Sequence, residues 1–299
     1  MTIALFPGQG VQAAGMDGGL GELAVDVFAT ASHVLGEDVL ELCRTGRSGT
    51  ASLDSTLWAQ PAVLTCSVAA FRGLSARGES YAAVAGHSVG EYAALVAGSA
   101  LDLADALQLI ALRAQATDDA AHQNPGGMVA VMRIDREAVE QICERAGTFL
   151  AADNSAGQLV MSGPHEALES ARAAAEGAGA TCRSLDVAGA FHSPAMEPAI
   201  ARLEAGLAHV TFRVPRIDVW SSTTAAPVRE SDEIREVLLA QLVSPVRWRE
   251  TVEGLAGRNP AVFADLGPGR VVGALAKRIV RGAEIKFVTD LLPASASAS

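Results

Sequence analysis

The residues best equipped for chemistry in this chain sit together in Gly86-His87-Ser88-Val89-Gly90-Glu91. A G-x-S-x-G run places a serine on a tight strand-to-helix turn, with its hydroxyl exposed and the next backbone N–H free to face a developing oxyanion. The glycines remove Cβ atoms that such a turn cannot hold. The context agrees: Ala82–Ala85 reads as the strand before the turn, and Glu91–Ala97 as a helix of small residues after it. The chemistry expected is attack on an acyl carbon, with Ser88 carrying the acyl group.

A serine of this kind needs a base, and the chain has six histidines. His87 adjoins Ser88, but neighbouring side chains on an elbow diverge. His165 opens a predicted surface helix, and His33, His122 and His209 lie in polar or helical stretches. His192 stands apart in Gly189-Ala190-Phe191-His192-Ser193-Pro194, where the chain leaves a predicted insertion and re-enters the main domain. Such junctions face clefts. No acidic partner stands close to it; Asp186 and Asp265 have no support of their own. A backbone carbonyl or side-chain amide could fix the imidazole tautomer instead.

The elements that must hold these residues alternate between strand and helix. Ile3–Phe6 reads as a strand ending in the turn Gly8-Gln9-Gly10. Helices are expected over Leu20–Leu35, Gln60–Arg77 and Leu103–Thr117, the last carrying Arg113. That order predicts a parallel sheet covered by helices. From Met128 the pattern changes to strand Met128–Arg133, helix Asp135–Arg145 and strands Phe149–Ala152 and Gln158–Ser162. Helix Pro164–Gly177 and strand Thr181–Val187 complete it. That β-α-β-β-α-β order is ferredoxin-like. The main pattern resumes with helix Pro198–Ala208, strand Ile217–Ser221, helix Ile234–Leu242, strand Val262–Leu266 and helix Val271–Arg281. The expected division is 1–124 plus 189–293 for the catalytic domain and 125–188 for the insertion. A low-complexity tail, 294–299, is expected to be disordered.

Bulk properties exclude several classes. The 299 residues are 49% hydrophobic, enough for a full core, but only 4% aromatic, so Ala, Val and Leu must build it. A net charge of -11 argues against general nucleic-acid binding. Cys43, Cys66, Cys143 and Cys182 form no C-x-x-C pair, and no Cys/His spacing resembles a metal site. Scattered thiols suit a reducing compartment. The N-terminus lacks a basic leader region, and no apolar run approaches the roughly 20 residues of a membrane span. The expectation is a cytoplasmic protein. Arg270, Lys277, Arg278 and Arg281 fall at helical spacing and predict a basic stripe on one face of the last helix.

Seven segments extend the reading: Phe6-Pro7-Gly8-Gln9-Gly10, Gln60-Pro61-Ala62, Gly86–Glu91, Arg113, Gly189–Ser193, Ser244-Pro245-Val246-Arg247-Trp248 and Gly267-Pro268-Gly269. In order and spacing the chain resembles the malonyl-CoA:acyl carrier protein transacylases and the acyltransferase domains of polyketide synthases, from residue 3 to about 290. The resemblance implies an α/β-hydrolase-like domain with a ferredoxin-like insertion. It implies Ser88 as nucleophile, His192 as general base and acid, and Gln9 and Val89 as the oxyanion hole. Gln241 matches a position whose carbonyl orients the histidine. Asn154 and His87 match residues lining the site. Arg113 matches an arginine that clamps the free carboxylate of a malonyl group, since a guanidinium pairs with a carboxylate in a planar, two-pronged fashion. Phe191 matches a position where bulk excludes an α-methyl group.

One departure stands out: the family often places a methionine where this chain has Thr117, at the border of the acyl pocket. The implied activity is transfer of malonyl from CoA to the phosphopantetheine thiol of an acyl carrier protein, in a monomer with no metal and no tightly bound cofactor. The basic stripe is the candidate docking face for an anionic carrier. The alternatives are a proofreading thioester hydrolase, a transacylase for another extender unit such as methylmalonyl, the transacylase subunit of a malonate-decarboxylating complex, and a silent carrier-protein scaffold.

Overall fold

Ile3 and Leu5 enter one buried cluster with Ala83, Ala85 and Phe263, while Ala4 and Phe6 enter another with Val84 and Ala264. The period of two marks strands buried on both faces. The computed structural model describes residues 2–257 and 262–292. The expected tail, 294–299, lies outside the described residues.

The strands are β1 (Thr2–Phe6), β2 (Arg47–Ser48), β3 (Ala51–Ser52), β4 (Tyr81–Gly86), β5 (Gly127–Met132), β6 (Phe149–Ser155), β7 (Gln158–Gly163), β8 (Thr181–Ser184), β9 (Asp218–Ser221), β10 (Ala226–Val228), β11 (Val262–Asp265) and β12 (Glu284–Phe287). The main sheet runs β10-β9-β4-β1-β11-β12. All its pairings are parallel except β10 with β9 at one edge. Helices cover both faces, so the chain is a mixed α/β protein with a parallel sheet at its centre. A second sheet, β6-β7-β5-β8, is antiparallel. The helices Arg136–Ala146 and His165–Gly177 close over a third cluster on this sheet, built on Val129, Val131, Leu159 and Met161.

Several expected boundaries move. The helix expected over Leu20–Leu35 is broken at Ala24, where φ is -140°. The helix carrying Arg113 runs on to Gln123, and the one expected from Gln60 starts at Thr56 behind the cap Ser55. Pro198–Ala208 splits into a 3₁₀ turn, Pro194–Ala199, and a helix, Ile200–Leu207. The last long helix is Val271–Ile279. This corrects the basic stripe: Arg270 caps the start of that helix and Arg281 lies beyond its end, so the four cations do not share one helical face.

The serine turn is packed tightly on itself and on the end of β1. A Cβ on Gly86 would sit 1.9 Å from the Gly90 carbonyl carbon, and one on Gly90 would sit 2.3 Å from the Phe6 oxygen. Only glycine permits this approach of β4 and its following helix to β1. The two sheets are joined by charge. Asp153 on β6, 2% exposed, accepts from Arg249 Nε at 3.1 Å and Nη2 at 2.7 Å, and from Arg136 Nη1 at 3.4 Å. Its backbone N–H donates to Val246 O at 2.9 Å. Both arginines keep about a third of their surface, 29% and 37%, so water screens part of the interaction. Asp153→Ala is expected to lower unfolding free energy by about 2 kcal/mol, below the usual cost of breaking a fully buried pair. Urea denaturation checks this, and a change within about 0.5 kcal/mol would contradict it.

Candidate active site

Ser88 sits at the elbow between β4 and the helix Gly90–Ala97, with φ at +51°. A non-glycine residue in this left-handed region is strained, and the surroundings must enforce it. Here they are the glycine contacts described above. Ser88 Oγ lies 2.9 Å from His192 Nε2. His192, also left-handed at +57°, follows the expected junction, and Ser193 caps the next turn.

The imidazole tautomer follows from its neighbours. His192 Nδ1 is 2.9 Å from Gln241 O and 3.2 Å from Ser244 O. Carbonyl oxygens only accept, so Nδ1 carries the hydrogen and Nε2 presents its lone pair to Ser88. Among the described residues, no carboxylate bonds to this histidine. The Asp265 carboxyl instead accepts the Gly273 N–H at 2.9 Å. The Ser244 carbonyl had no sequence signal beyond its place in a matching segment.

Arg113 is 5% exposed. Its Nη1 donates to Gln60 Oε1 at 2.6 Å, and its Nη2 donates to Gln241 Oε1 at 3.1 Å and to Ser88 Oγ at 3.3 Å. Nε is buried with no hydrogen-bond partner among the described residues. Thr117, one turn on, donates to Arg113 O at 2.8 Å and accepts from Gln60 Nε2 at 3.4 Å. A methionine sulfur here would be only a weak acceptor, whereas the threonine hydroxyl receives Gln60 and so ties down the residue that fixes Nη1.

The other expected residues converge unevenly. His87 turns away from Ser88 and donates from Nε2 to Asn154 Oδ1 at 2.8 Å, with its ring edge-on to Trp248. Phe191 is half-buried between the two clusters flanking the main sheet. Gln9 Nε2 donates to Thr56 Oγ1 at 3.0 Å. Gln9's loop abuts the elbow: a Cβ on Gly8 would sit 2.7 Å from His87 O. Among the described residues, the backbone N–H groups of Gln9 and Val89 donate to nothing. The four basic residues lie apart from Ser88's contacts. Arg270 pairs with Asp290 at 2.6 Å and lies over the Phe287 ring, and Arg278 donates to Gln158 at 2.5 Å. Lys277 and Arg281 are exposed.

Burial dominates the electrostatics. It pushes His87 down, against its bond to Asn154. His192 is pushed down to about 3, first by burial, then by the charges of Arg113 and His87. The resting base is therefore neutral at ordinary pH.

The site thus holds a serine hydroxyl, a neutral imidazole that can take its proton, and a buried guanidinium beside the same oxygen. That constellation belongs to enzymes that form acyl esters on serine. A family model described as "Acyl transferase domain" matches residues 4–293. The chain is 36% identical over 288 residues to the malonyl CoA-acyl carrier protein transacylase of Escherichia coli, covering 92% of each. It is 37% identical over 298 residues to that of Haemophilus influenzae, covering 96% of this chain and 95% of the relative. A solved structure of the transacylase from Coxiella burnetii superposes with a TM-score of 0.92 at 36% identity, covering 96% of this chain and 93% of that one. Another, a type II polyketide synthase acyl-carrier protein in complex with its malonyl-transacylase, gives 0.91 at 34% identity over 97% and 96%. The chain belongs to the malonyl CoA-acyl carrier protein transacylase family of acyltransferases.

The depressed histidine makes stability depend on pH. The unfolded chain takes up this proton near 6.5, and the folded chain does so only near 3. As pH falls below 6.5 the unfolded state binds more protons, so stability is lost. Between about pH 7.5 and about pH 5, wild type should lose about 2 kcal/mol more unfolding free energy than His192→Gln, which lacks the group. Urea titrations at both pH values measure this, and equal losses would contradict it.

Proposed function

We propose that this chain moves a malonyl group from CoA to the phosphopantetheine thiol of an acyl carrier protein, through an ester on Ser88. One observation carries the reading: Ser88 Oγ lies within hydrogen-bond reach of both a neutral imidazole and a buried guanidinium. The relatives' names supply the donor and acceptor. His192 Nε2 takes the Ser88 proton as Oγ attacks the thioester carbon. The oxyanion forms against the unpaired N–H groups of Gln9 and Val89, where one donor is worth about 3 kcal/mol. The C–S bond breaks, and His192 returns its proton to the CoA sulfur. The carrier thiol then repeats the sequence in reverse.

Arg113 receives the distal malonyl carboxylate. That pairing offsets its charge beside His192 and makes the imidazole a stronger base when substrate is bound. Gln60 and Thr117 hold the guanidinium, Gln241 holds it from the other side, and Phe191 limits room at the α-carbon. His87 and Asn154 close the far side of the elbow.

We read residues 1–124 and 189–293 as one α/β-hydrolase-like unit with a ferredoxin-like insertion, 125–188. Support comes from the order β-α-β-β-α-β and the strand order β6-β7-β5-β8. Lys277, Arg278 and Arg281 remain candidates for meeting an anionic carrier. Arg270 is less available, being paired to Asp290. We also read the chain as a cytoplasmic monomer; the four free thiols support the compartment.

Transfer rates from malonyl-, methylmalonyl- and acetyl-CoA to holo carrier protein test the reading. Malonyl should be preferred over methylmalonyl by about 10-fold or more. Arg113→Ala should lower malonyl transfer by about 100-fold or more while changing acetyl transfer little. Equal malonyl and acetyl transfer by wild type would sink the carboxylate clamp. Free malonate with no acylated carrier would mark a hydrolase.

A further inference from the structure

Glu91 is 3% exposed, on the first turn of the helix behind Ser88. Nothing in the proposed reaction uses it. Its Oε1 accepts from Ser221 Oγ and Ser222 Oγ, each at 2.9 Å, from Ser222 N–H, and from Thr223 N–H at 3.3 Å. Its Oε2 accepts from Gln241 Nε2 at 2.5 Å. Backbone and amide N–H groups only donate, so this shell suits the carboxylate form, although burial alone pushes the group up.

The Gln241 amide is thereby held by groups of opposite kind. On one side Arg113 Nη2 can only donate, and it takes Oε1. On the other, Glu91 Oε2 and Ser88 O can only accept, and both take Nε2. The amide has one satisfying orientation. The same residue's backbone carbonyl accepts from His192 Nδ1. Glu91 therefore grips a residue that touches the guanidinium, the serine backbone and the histidine.

We infer that Glu91 is a positioning residue for carboxylate selection, acting through the Gln241 amide to aim Arg113 at the acyl group. This rests on the reading of Arg113 as the malonyl clamp. In Glu91→Gln, the new amide keeps its oxygen on the serines and turns its NH₂ toward Gln241 Nε2. Two donors then face each other. Gln241 must flip, which sets its NH₂ against Arg113 Nη2, again donor against donor. Gln241→Met removes the amide but keeps the backbone carbonyl that His192 uses, so the donor clash cannot arise in that background.

The test compares malonyl-CoA and acetyl-CoA as donors to holo carrier protein in wild type, Glu91→Gln, Gln241→Met and the double variant of these two, with thermal melts run alongside. Glu91→Gln should cut the malonyl-to-acetyl ratio of kcat/KM by about 10-fold or more, because acetyl has no carboxylate to place. Gln241→Met should also lower the ratio, and in that background Glu91→Gln should lower it little further, because the amide through which Glu91 acts is gone. Two results would overturn the inference: equal falls in both rates, as for a purely structural residue, or a Glu91→Gln effect on the ratio that is undiminished in a folded Gln241→Met background. If Glu91→Gln does not fold, the ratio in folded Gln241→Met decides: a lowered ratio supports the inference, and a wild-type-like one overturns it. A wild type without malonyl preference would instead sink the clamp itself, so the two failures are distinguishable.

Discussion

A guanidinium buried to 5% exposure must be surrounded by acceptors, and that requirement shapes this site. Desolvating such a charge costs several kcal/mol unless partners offset it. Among the described residues Arg113 has no direct ion pair. Its partners are two amide oxygens and one hydroxyl, brought from the helix Thr56–Ser75, the segment after Ser231–Ala240, and the elbow. The nearest anion in this network, Glu91, stands one amide away. On the proposed reading, the incomplete compensation leaves room for a substrate carboxylate. It also presses on His192, keeping the imidazole neutral until substrate arrives.

The rest of the geometry serves one oxygen atom. Two glycines let β4 and its helix close on β1, and that closeness forces Ser88 into left-handed backbone. The strain exposes Oγ and frees the Val89 N–H. Strand β6 contributes from the side: its Asn154 holds His87 off the serine, and Asp153 next to it is clamped by Arg249 and Arg136. Sheet pairing, glycine packing and a buried ion cluster therefore act on the same few ångströms.

Much of this was legible in the residues. The strand–turn–helix around Ser88 followed from local pattern, because an elbow is a local structure. His192 followed from its place at a junction. Arg113 needed the family resemblance, since nothing in the helix around it marks one arginine as buried. Gln60 lay within a matching segment, but its partner Thr117 is 57 residues away, and Glu91 meets Gln241 across 150 residues. Such contacts have no sequence period. Short edge strands were missed for a related reason: β12, Glu-Ile-Lys-Phe, is four residues whose pairing with β11 comes only from the fold. The helix Trp248–Ala256 was missed although Trp248, Thr251, Val252 and Leu255 bury one face at helical spacing. The basic stripe failed because spacing was extended past Ile279, where the helix ends.

The central claim is that Ser88 carries the acyl group with His192 as its base, and the intact mass of the protein after brief exposure to malonyl-CoA tests it most directly. Wild type should gain one malonyl group, localised by peptide fragmentation to the segment containing Ser88. Ser88→Ala should form no adduct, and His192→Ala should form one at least about 100-fold more slowly. An adduct that persists in Ser88→Ala, or a wild type that gains no mass, would contradict it.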